Sequence, residues 1–181
     1  MRKYHWLALA LLFSSLMTSG CLPTIKRQWD VQPVDGTLVD GVTGTPVAGA
    51  VITNADDPSL SATTDKDGYF AIEEQSHVGL HLIMAASAMR TQTWQIRHPD
   101  YAYAEIGTRT LIPPLSRQPS HLQLPLFTEQ PSSPPDCPAY GYLMALAQWQ
   151  DDNGIDEPWI ETDRCHDEEA MQSLIDTWHP E

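Results

Sequence analysis

Three short stretches of the chain combine side chains that hold metal ions in other proteins. His77 and His81 stand four positions apart, the spacing at which two imidazoles bind one zinc ion from a helix. His166 and Glu169 form a His-x-x-Glu pair. The stretch 151–157 supplies four carboxylates in seven residues, and calcium prefers such oxygen ligands. The residue types are therefore compatible with metal binding, and their spacing and predicted secondary structure decide whether they can share an ion.

Neither histidine pair fits a zinc site in its context. The flanks of His77 and His81 are typical of a strand, on which side chains four apart stand about 13 Å from each other. Zinc–nitrogen bonds measure only about 2 Å, so the two rings cannot share an ion. His166 and Glu169 resemble the ligand pair of zinc carboxypeptidases, but that pair needs a third ligand far downstream, and twelve residues follow Glu169. We predict no metal site here.

The acidic stretch 151–157 does not match an EF-hand either. Aligning the loop on Gly154 puts Ile160 at the position of the essential glutamate. The chain also lacks a Gly-x-Ser-x-Gly nucleophile elbow, a phosphate loop and a dinucleotide fingerprint. We predict no catalytic residue and no cofactor. Two alternatives stay open: a small envelope hydrolase whose site forms only on folding, and a calcium-dependent structural protein.

The N-terminus has the three parts of an export signal in residues 1–20. Two cations precede the apolar run 6–17, which is too short to span a bilayer comfortably, and small residues precede Cys21. This arrangement resembles a bacterial lipoprotein signal, which implies cleavage before Cys21 and acyl lipid, palmitate included, on that cysteine. Thr18 stands where leucine is usual, so cleavage by the ordinary signal peptidase remains the alternative.

The lipoprotein resemblance implies an address and a membrane partner. Lipid on Cys21 would anchor the chain, and Leu22 rather than aspartate after it favours the outer membrane over other sites in the cell envelope. Residues 21–32 are predicted to form a short tether. Acylation of Cys21 leaves Cys137 and Cys165 as a pair in an oxidising compartment, where we expect a disulfide.

The charge balance restricts the partners. The chain of 181 residues has 10 basic and 24 acidic side chains, a formal net charge of −14. From Cys21 onward, 8 basic and 24 acidic residues give −16. This excess argues against a nucleic-acid partner and against direct adsorption to anionic lipid headgroups. A hydrophobic content of 41% suffices for a core.

The middle of the chain has the pattern of a β-sandwich. Asp-Gly pairs, a strong turn signal, occur at positions 35, 40 and 67. Short runs typical of strands lie around them, with period-two alternation clearest after Gly68. The predicted strands are 36–40, 48–53, 69–73, 80–85, 91–97, 101–111 and 122–127. We therefore predict a mainly β fold, a seven-stranded antiparallel β-sandwich with a small C-terminal α-helical appendage.

Residues 33–127 resemble the carboxypeptidase regulatory-like domain. The segment 43–52 has its Thr-Gly-x-Pro-Val and Gly-Ala-x-Val elements, and 64–70 reads Thr-Asp-Lys-Asp-Gly-Tyr-Phe. The resemblance implies a transthyretin-like fold that serves as an accessory module. We expect the motif residues to build turns, with positive φ at glycine and both aspartates capping amides. These residues are Gly44, Pro46, Gly49, Asp65, Asp67 and Gly68.

The C-terminal part differs in composition from the predicted sandwich. Residues 128–137 are predicted to be a proline-rich linker, and 138–181 an acidic helical appendage that the disulfide would clasp. Residues 151–181 contain eleven acids and a single base, Arg164. Trp149, Trp159 and Trp178 are candidate partner contacts, although packing onto the sandwich is the simpler explanation. The sequence thus predicts a non-catalytic, lipid-anchored module that binds or spaces a protein or glycan partner.

Overall fold

A computed structural model describes residues 22–83, 88–112, 116–154 and 164–178. The fold is mainly β, a β-sandwich with a small helical C-terminal part, as the sequence predicts. The strands are β1 (Leu22–Val31), β2 (Val34–Asp40), β3 (Val51–Asn54), β4 (Ser61–Thr63), β5 (Tyr69–Ile72), β6 (Gln75–Ile83), β7 (Ala88–His98), β8 (Tyr101–Ile112) and β9 (Ser120–Leu126). The helices are α1 (Tyr140–Asp152) and α2 (Glu168–Trp178).

Two sheets enclose the core. One has the strand order β5-β2-β9 and the other β4-β3-β7-β8. Leu38 and Phe70 of the first sheet belong to the same buried cluster as Ile52 and Trp94 of the second. Period-two alternation explains why these residues meet: in β5, Phe70 and Ile72 are buried while their neighbours face solvent. The sequence pattern after Gly68 predicts this alternation correctly.

The structure has more strands than the predicted seven, and one parallel pair. Each predicted strand has a counterpart, and β1 and β4 are additional. β2 pairs antiparallel with β5 but parallel with β9, from Val34 opposite Ser120 to Asp40 opposite Leu126. The long chain between β2 and β9 makes a parallel pairing possible. β9 is the edge strand of its sheet, so Pro125 removes no ladder bond that an inner strand would need.

The predicted tether at 21–32 is largely a strand in the structure. β1 pairs antiparallel with β6 along almost its whole length, from Leu22 opposite Ile83 to Val31 opposite Gln75. The composition of 22–31, with one proline and two cations, carries no local sign of pairing. Its hydrogen-bonding partner β6 lies more than forty residues along the chain, so the residues next to β1 do not indicate the pairing.

Two pairs of strands have free ends that are joined by a short stretch of chain. β1 and β6 form a two-stranded ribbon, and β7 and β8 pair from Ala88 opposite Ile112 down to the sandwich. Four residues separate Ile83 from Ala88, so the free ends of the two ribbons lie within about 18 Å of each other. We call this end the ribbon tip, comprising 22–28, 77–83, 88–91 and 109–112. In the other half of β8, Glu105 contacts Arg164 of the helical part.

The helical part is clasped as the sequence predicts. Cys137 and Cys165 form a disulfide that joins the segment before α1 to the segment before α2. Leu143 and Leu146 fall at helical spacing in the sequence, which predicts one apolar face, and both are almost inaccessible in α1. The linker before α1 also packs: Ser133 Oγ accepts a hydrogen bond of 2.9 Å from the amide of Gly141, which supplies a capping bond that Ala139 cannot make. No helix in the described ranges is long and apolar enough to cross a membrane.

Candidate functional site

The glycines of the family-like motif occupy backbone positions that other residues rarely adopt. Gly44, Gly49 and Gly68 have φ angles of 69°, 83° and 73°. A Cβ atom on Gly68 would also lie 2.4 Å from the carbonyl oxygen of Leu38, so both conformation and space require glycine there. Pro46 forms an isolated bridge with Val39 beside this turn. These motif residues are therefore engaged in forming the fold.

The Thr64–Gly68 part of the motif ties two loops together. The buried hydroxyl of Thr64 donates to the carbonyl of Val47 at 2.7 Å and accepts from the amide of Ala50 at 2.9 Å. Asp65 Oδ1 accepts from the amides of Asp67 and Tyr69, both at 2.9 Å, as an amide-capping aspartate does. The predicted cap from Asp67 is not seen, because its carboxylate lies 2.6 Å from Lys66 Nζ.

Asp40 is a turn residue that the sequence analysis did not single out. Its carboxylate accepts hydrogen bonds from the amides of Val42 (3.0 Å) and Thr43 (2.7 Å) and from the hydroxyl of Tyr101 (2.9 Å). The bond from the Thr43 amide, followed by that from Tyr101, holds the pKa of Asp40 below its ordinary value of 3.8. Asp40 thereby joins the first turn of the sandwich to the start of β8.

Asp40→Asn is expected to destabilise the fold by about 1 kcal/mol at pH 7, because the charged acceptor of these bonds is lost. A carboxyl whose folded pKa is lowered contributes stability above its unfolded pKa and loses it as pH falls through the folded pKa. The stability of the variant should therefore depend less on pH below 3.8 than that of the parent chain. Urea unfolding at a series of pH values measures this difference.

Asp67→Asn is the matched control for this experiment. Asp67 is an exposed aspartate in a turn, and its carboxylate contacts only an exposed lysine. Its replacement should change stability by less than about 0.5 kcal/mol at any pH. Equal pH profiles for the Asp40 variant and the parent chain would contradict the assignment.

A buried carboxylate joins the sandwich to the helical part. Glu105 of β8 is fully buried, and its Oε2 accepts from the hydroxyl of Tyr103 at 2.5 Å and from Nη1 of Arg164 at 2.7 Å. Tyr103 and Glu105 stand two apart on one strand and so share a face. Glu105 Oε1 has no hydrogen-bond partner among the described residues. We call Tyr103, Glu105 and Arg164 the junction cluster.

Tyr103 forms the outer side of the junction cluster. Burial, and secondly the hydrogen bond to Glu105, raise the pKa of its phenol well above the ordinary value of 10.0. Arg97 lies over the ring, with Cζ 5.2 Å from the centroid. An open groove of about 680 Å³ runs beside Tyr103 between Ala102 and the 128–138 segment, with Glu129, Ser133 and four prolines in its wall. This groove offers aromatic, proline and carboxylate surface for noncovalent contacts.

Other contacts hold α1 and α2 in place. The buried hydroxyl of Tyr142 donates to the carbonyl of Pro125 on the edge strand β9, at 3.2 Å. Burial raises the pKa of the Tyr142 phenol far above its ordinary value, so it stays protonated as a donor. Tyr140 Oη and Ser173 Oγ lie 3.2 Å apart and link the two helices. The helical part is therefore docked on the sandwich by polar and apolar contacts together.

The histidines do not gather around one centre. His77 pairs with Asp30 at 2.6 Å and His121 with Asp35 at 2.8 Å, on different strand pairs. Asp35 and His121 are direct partners in the β2–β9 register, which explains their contact. Within the described ranges, no three His, Cys, Asp or Glu residues lie close enough together to hold a metal ion.

The three candidate tryptophans have different positions. Trp149 is half-buried and packs against the core, which agrees with the simpler explanation given for it. Trp178 is the last residue of α2, and Trp159 lies outside the described residues, as do Cys21 and the export signal. The acidic stretch 151–157 is described only as far as Gly154, which follows the end of α1 by two residues and has a φ of 63°.

The charges of Arg164 and Glu105 could have pointed to the junction cluster, although no short motif contains both residues. Arg164 is the single base of 151–181, and Glu105 is the single acid of 101–128. Each is an exception to the composition around it, and the fold pairs them. Comparison with known proteins adds no family to these observations: no protein-family model matches the chain. No curated protein matches it either.

Proposed function

We propose that this protein is a lipid-anchored cell-envelope module, non-catalytic, that presents its acidic helices to a protein or glycan partner at a set distance from the membrane. The proposal joins the lipoprotein-like signal before Cys21 to the shape of the molecule. The observation that carries it is the course of β8. This strand contributes Tyr103 and Glu105 to the junction cluster in its first half and residues 109–112 to the ribbon tip at its end.

The length of β8 sets the spacing. From Glu105, which contacts Arg164 of the helical part, to Ile112 the strand rises about 23 Å. Cys21 directly precedes Leu22, which lies at the ribbon tip opposite Ile83. Lipid on Cys21 would therefore hold the ribbon tip at the bilayer and place the helical part on the far side of the sandwich.

The helical part has the charge of a docking surface for a basic partner. Glu168, Glu169 and Asp176 of α2 are exposed, and α2 contains no basic residue. Arg164, just before α2, is bonded to Glu105 of the sandwich, and the disulfide joins the same segment to the one before α1. The Tyr142 hydroxyl holds α1 on β9. A rigid support lowers the entropy that ordering the surface would otherwise cost on binding. Lys- or Arg-rich protein surfaces fit this charge best.

In-cell cross-linking on detergent-solubilised membranes tests the proposal. The parent chain should yield a discrete cross-linked partner, and the triple variant Glu168→Gln, Glu169→Gln, Asp176→Asn should lose most of it. The matched control neutralises three exposed acids of the sandwich, with Asp56→Asn, Asp67→Asn and Glu73→Gln, and should keep the partner. These variants preserve the core, whereas truncation after Phe127 would uncover the residues that α1 buries.

Two outcomes would overturn parts of the proposal. A partner retained by the α2 variant would move the contact away from this helix, and no partner in any sample would remove the docking role. Anchoring is tested separately by palmitate labelling of the parent chain and Cys21→Ser. Label on the parent chain alone is the expected result, and an unlabelled parent chain would overturn the lipid anchor.

A further inference from the structure

The fold places basic and acidic side chains in different parts of the molecule, which the net charge of −16 does not show. The ribbon tip contains Lys26, Arg27, Arg90 and Arg109, half of the eight basic residues that follow residue 20. It contains no aspartate or glutamate, although the chain has 24 of them. The uncharged segments 84–87 and 113–115 adjoin it in sequence. The tip is therefore basic on an acidic protein.

The β1–β6 ribbon adds apolar surface to this charge. Ile25 and Leu80 are direct partners in the register, and Arg27 and Val78 are partners two positions along, so all four side chains share one face. Ile25, Val78 and Leu80 are 65–74% exposed. Three large apolar side chains on one exposed ribbon face are unusual in a solvated strand pair. Lys26 projects from the other face of the ribbon.

The end of the β7–β8 ribbon repeats this combination. Met89 and Leu111 are direct partners, share a face and are both exposed. Arg90 is the next residue along β7 and is exposed as well, and Arg109 is opposite Thr91 on β8. Four residues join Ile83 to Ala88, so the separation of the two ribbon ends is at most about 18 Å. Both ribbons therefore end in exposed apolar side chains flanked by cations.

We propose that the ribbon tip contacts the surface of an anionic phospholipid bilayer directly, in addition to any lipid on Cys21. Apolar side chains would enter the headgroup region while the cations meet lipid phosphates, and long Lys and Arg stems allow both at once. The tip itself contains no acidic residue, and the carboxylate of Asp30 beside it pairs with His77. The inference rests on the proposed function only for the orientation of the ribbon tip toward the membrane. The contact itself needs no acyl chain on Cys21.

Vesicle binding of the chain from Leu22 to Glu181 tests the inference without any lipid attached. This chain keeps every described strand and helix, and near-UV circular dichroism checks its folding. Co-sedimentation compares vesicles of equimolar phosphatidylglycerol and phosphatidylcholine with vesicles of phosphatidylcholine alone. The net charge of −16 would by itself repel the protein from anionic vesicles. Stronger binding to the anionic vesicles than to the neutral ones therefore cannot come from the net charge and indicates contact through the basic tip.

Paired variants locate the contact. Each cation near an anionic surface is worth about 1 kcal/mol, so Lys26→Gln with Arg27→Gln should weaken binding by on the order of tenfold or more. Lys66→Gln with Arg97→Gln removes the same charge from other exposed sites and should not weaken it. Ile25→Ser with Leu80→Ser should also reduce binding, whereas Val42→Ser, at an exposed valine of a sandwich turn, should not.

Three results would overturn the inference: equal binding to both vesicle types, tip variants that bind like the parent chain, or control variants that lose binding equally. High salt should release the protein, because screening weakens contacts between exposed charges. Failure of this assay leaves the palmitate labelling of Cys21 unaffected, and failure of labelling leaves vesicle binding unaffected. The two proposals can therefore fail independently.

Discussion

Arg164→Met is expected to lower the free energy of unfolding by about 2–4 kcal/mol, because it takes the guanidinium away from the fully buried Glu105 carboxyl and leaves the Tyr103 hydroxyl as its partner among the described residues. The effect stays below the largest values for buried pairs because the Arg164 side chain is 43% exposed, and water screens part of the attraction. Denaturant unfolding at neutral pH measures the loss. The variant keeps the long apolar stem of the residue, so lost packing contributes little.

A double-mutant cycle separates the pair from its parts. Glu105→Gln removes the charge while keeping the shape, and the double variant with Arg164→Met should be less destabilised than the sum of the singles. Arg117→Met is the matched control, because it breaks the exposed Arg117–Glu74 pair at 2.6 Å. It should cost less than about 1 kcal/mol. An effect of Arg164→Met as small as that of Arg117→Met would show that the junction cluster does not hold the helical part.

Loss of the Cys137–Cys165 disulfide should destabilise the protein by roughly 3–4 kcal/mol, from the entropy of the loop it closes. The bridge spans a sequence separation of 28, and the Cys137 side chain is fully buried. Thermal unfolding with and without reductant measures the change. We expect the helical part to respond first, because α1 and α2 contact each other across the segments that the bridge joins.

The double variant Cys137→Ala with Cys165→Ala distinguishes the covalent bond from other effects of reductant. It should unfold like the reduced parent chain and show no further response to reductant. Near-UV signals of Trp94, which lies in the core between the sheets, should persist to higher denaturant than the helical signal at 222 nm. Unchanged unfolding of the parent chain on reduction would contradict a stabilising role for the bridge.

Local chemistry made much of this fold predictable. Asp-Gly pairs and period-two alternation placed a counterpart for each predicted strand, because turn conformation and side-chain direction depend on a few adjacent residues. The face of α1 with Leu143 and Leu146 followed from helical spacing for the same reason. The disulfide was predictable because the lipoprotein resemblance assigns Cys21 to lipid and leaves Cys137 and Cys165 as the one possible pair.

Pairings between distant segments could not be predicted in this way. β1 was predicted as a tether because its hydrogen-bonding partner β6 lies beyond four other strands, and the parallel β2–β9 pair has the same origin. Such pairings are chosen by how whole sheets pack, and adjacent residues carry little information about them. The same limit hid the junction cluster, whose residues Glu105 and Arg164 lie 59 positions apart.

The sequence by itself determined seven of the nine described strands, the Asp-Gly turns, the apolar face of α1 and the total charge of this protein. Only the tertiary structure decided where that charge lies. Net charge is a sum over the chain and contains no information about position. Strand pairing places Lys26, Arg27, Arg90 and Arg109 in the ribbon tip, away from the acidic helices. The physical reason is that pairing brings together segments remote in sequence, and so creates the basic tip that a protein of net −16 would not be expected to have.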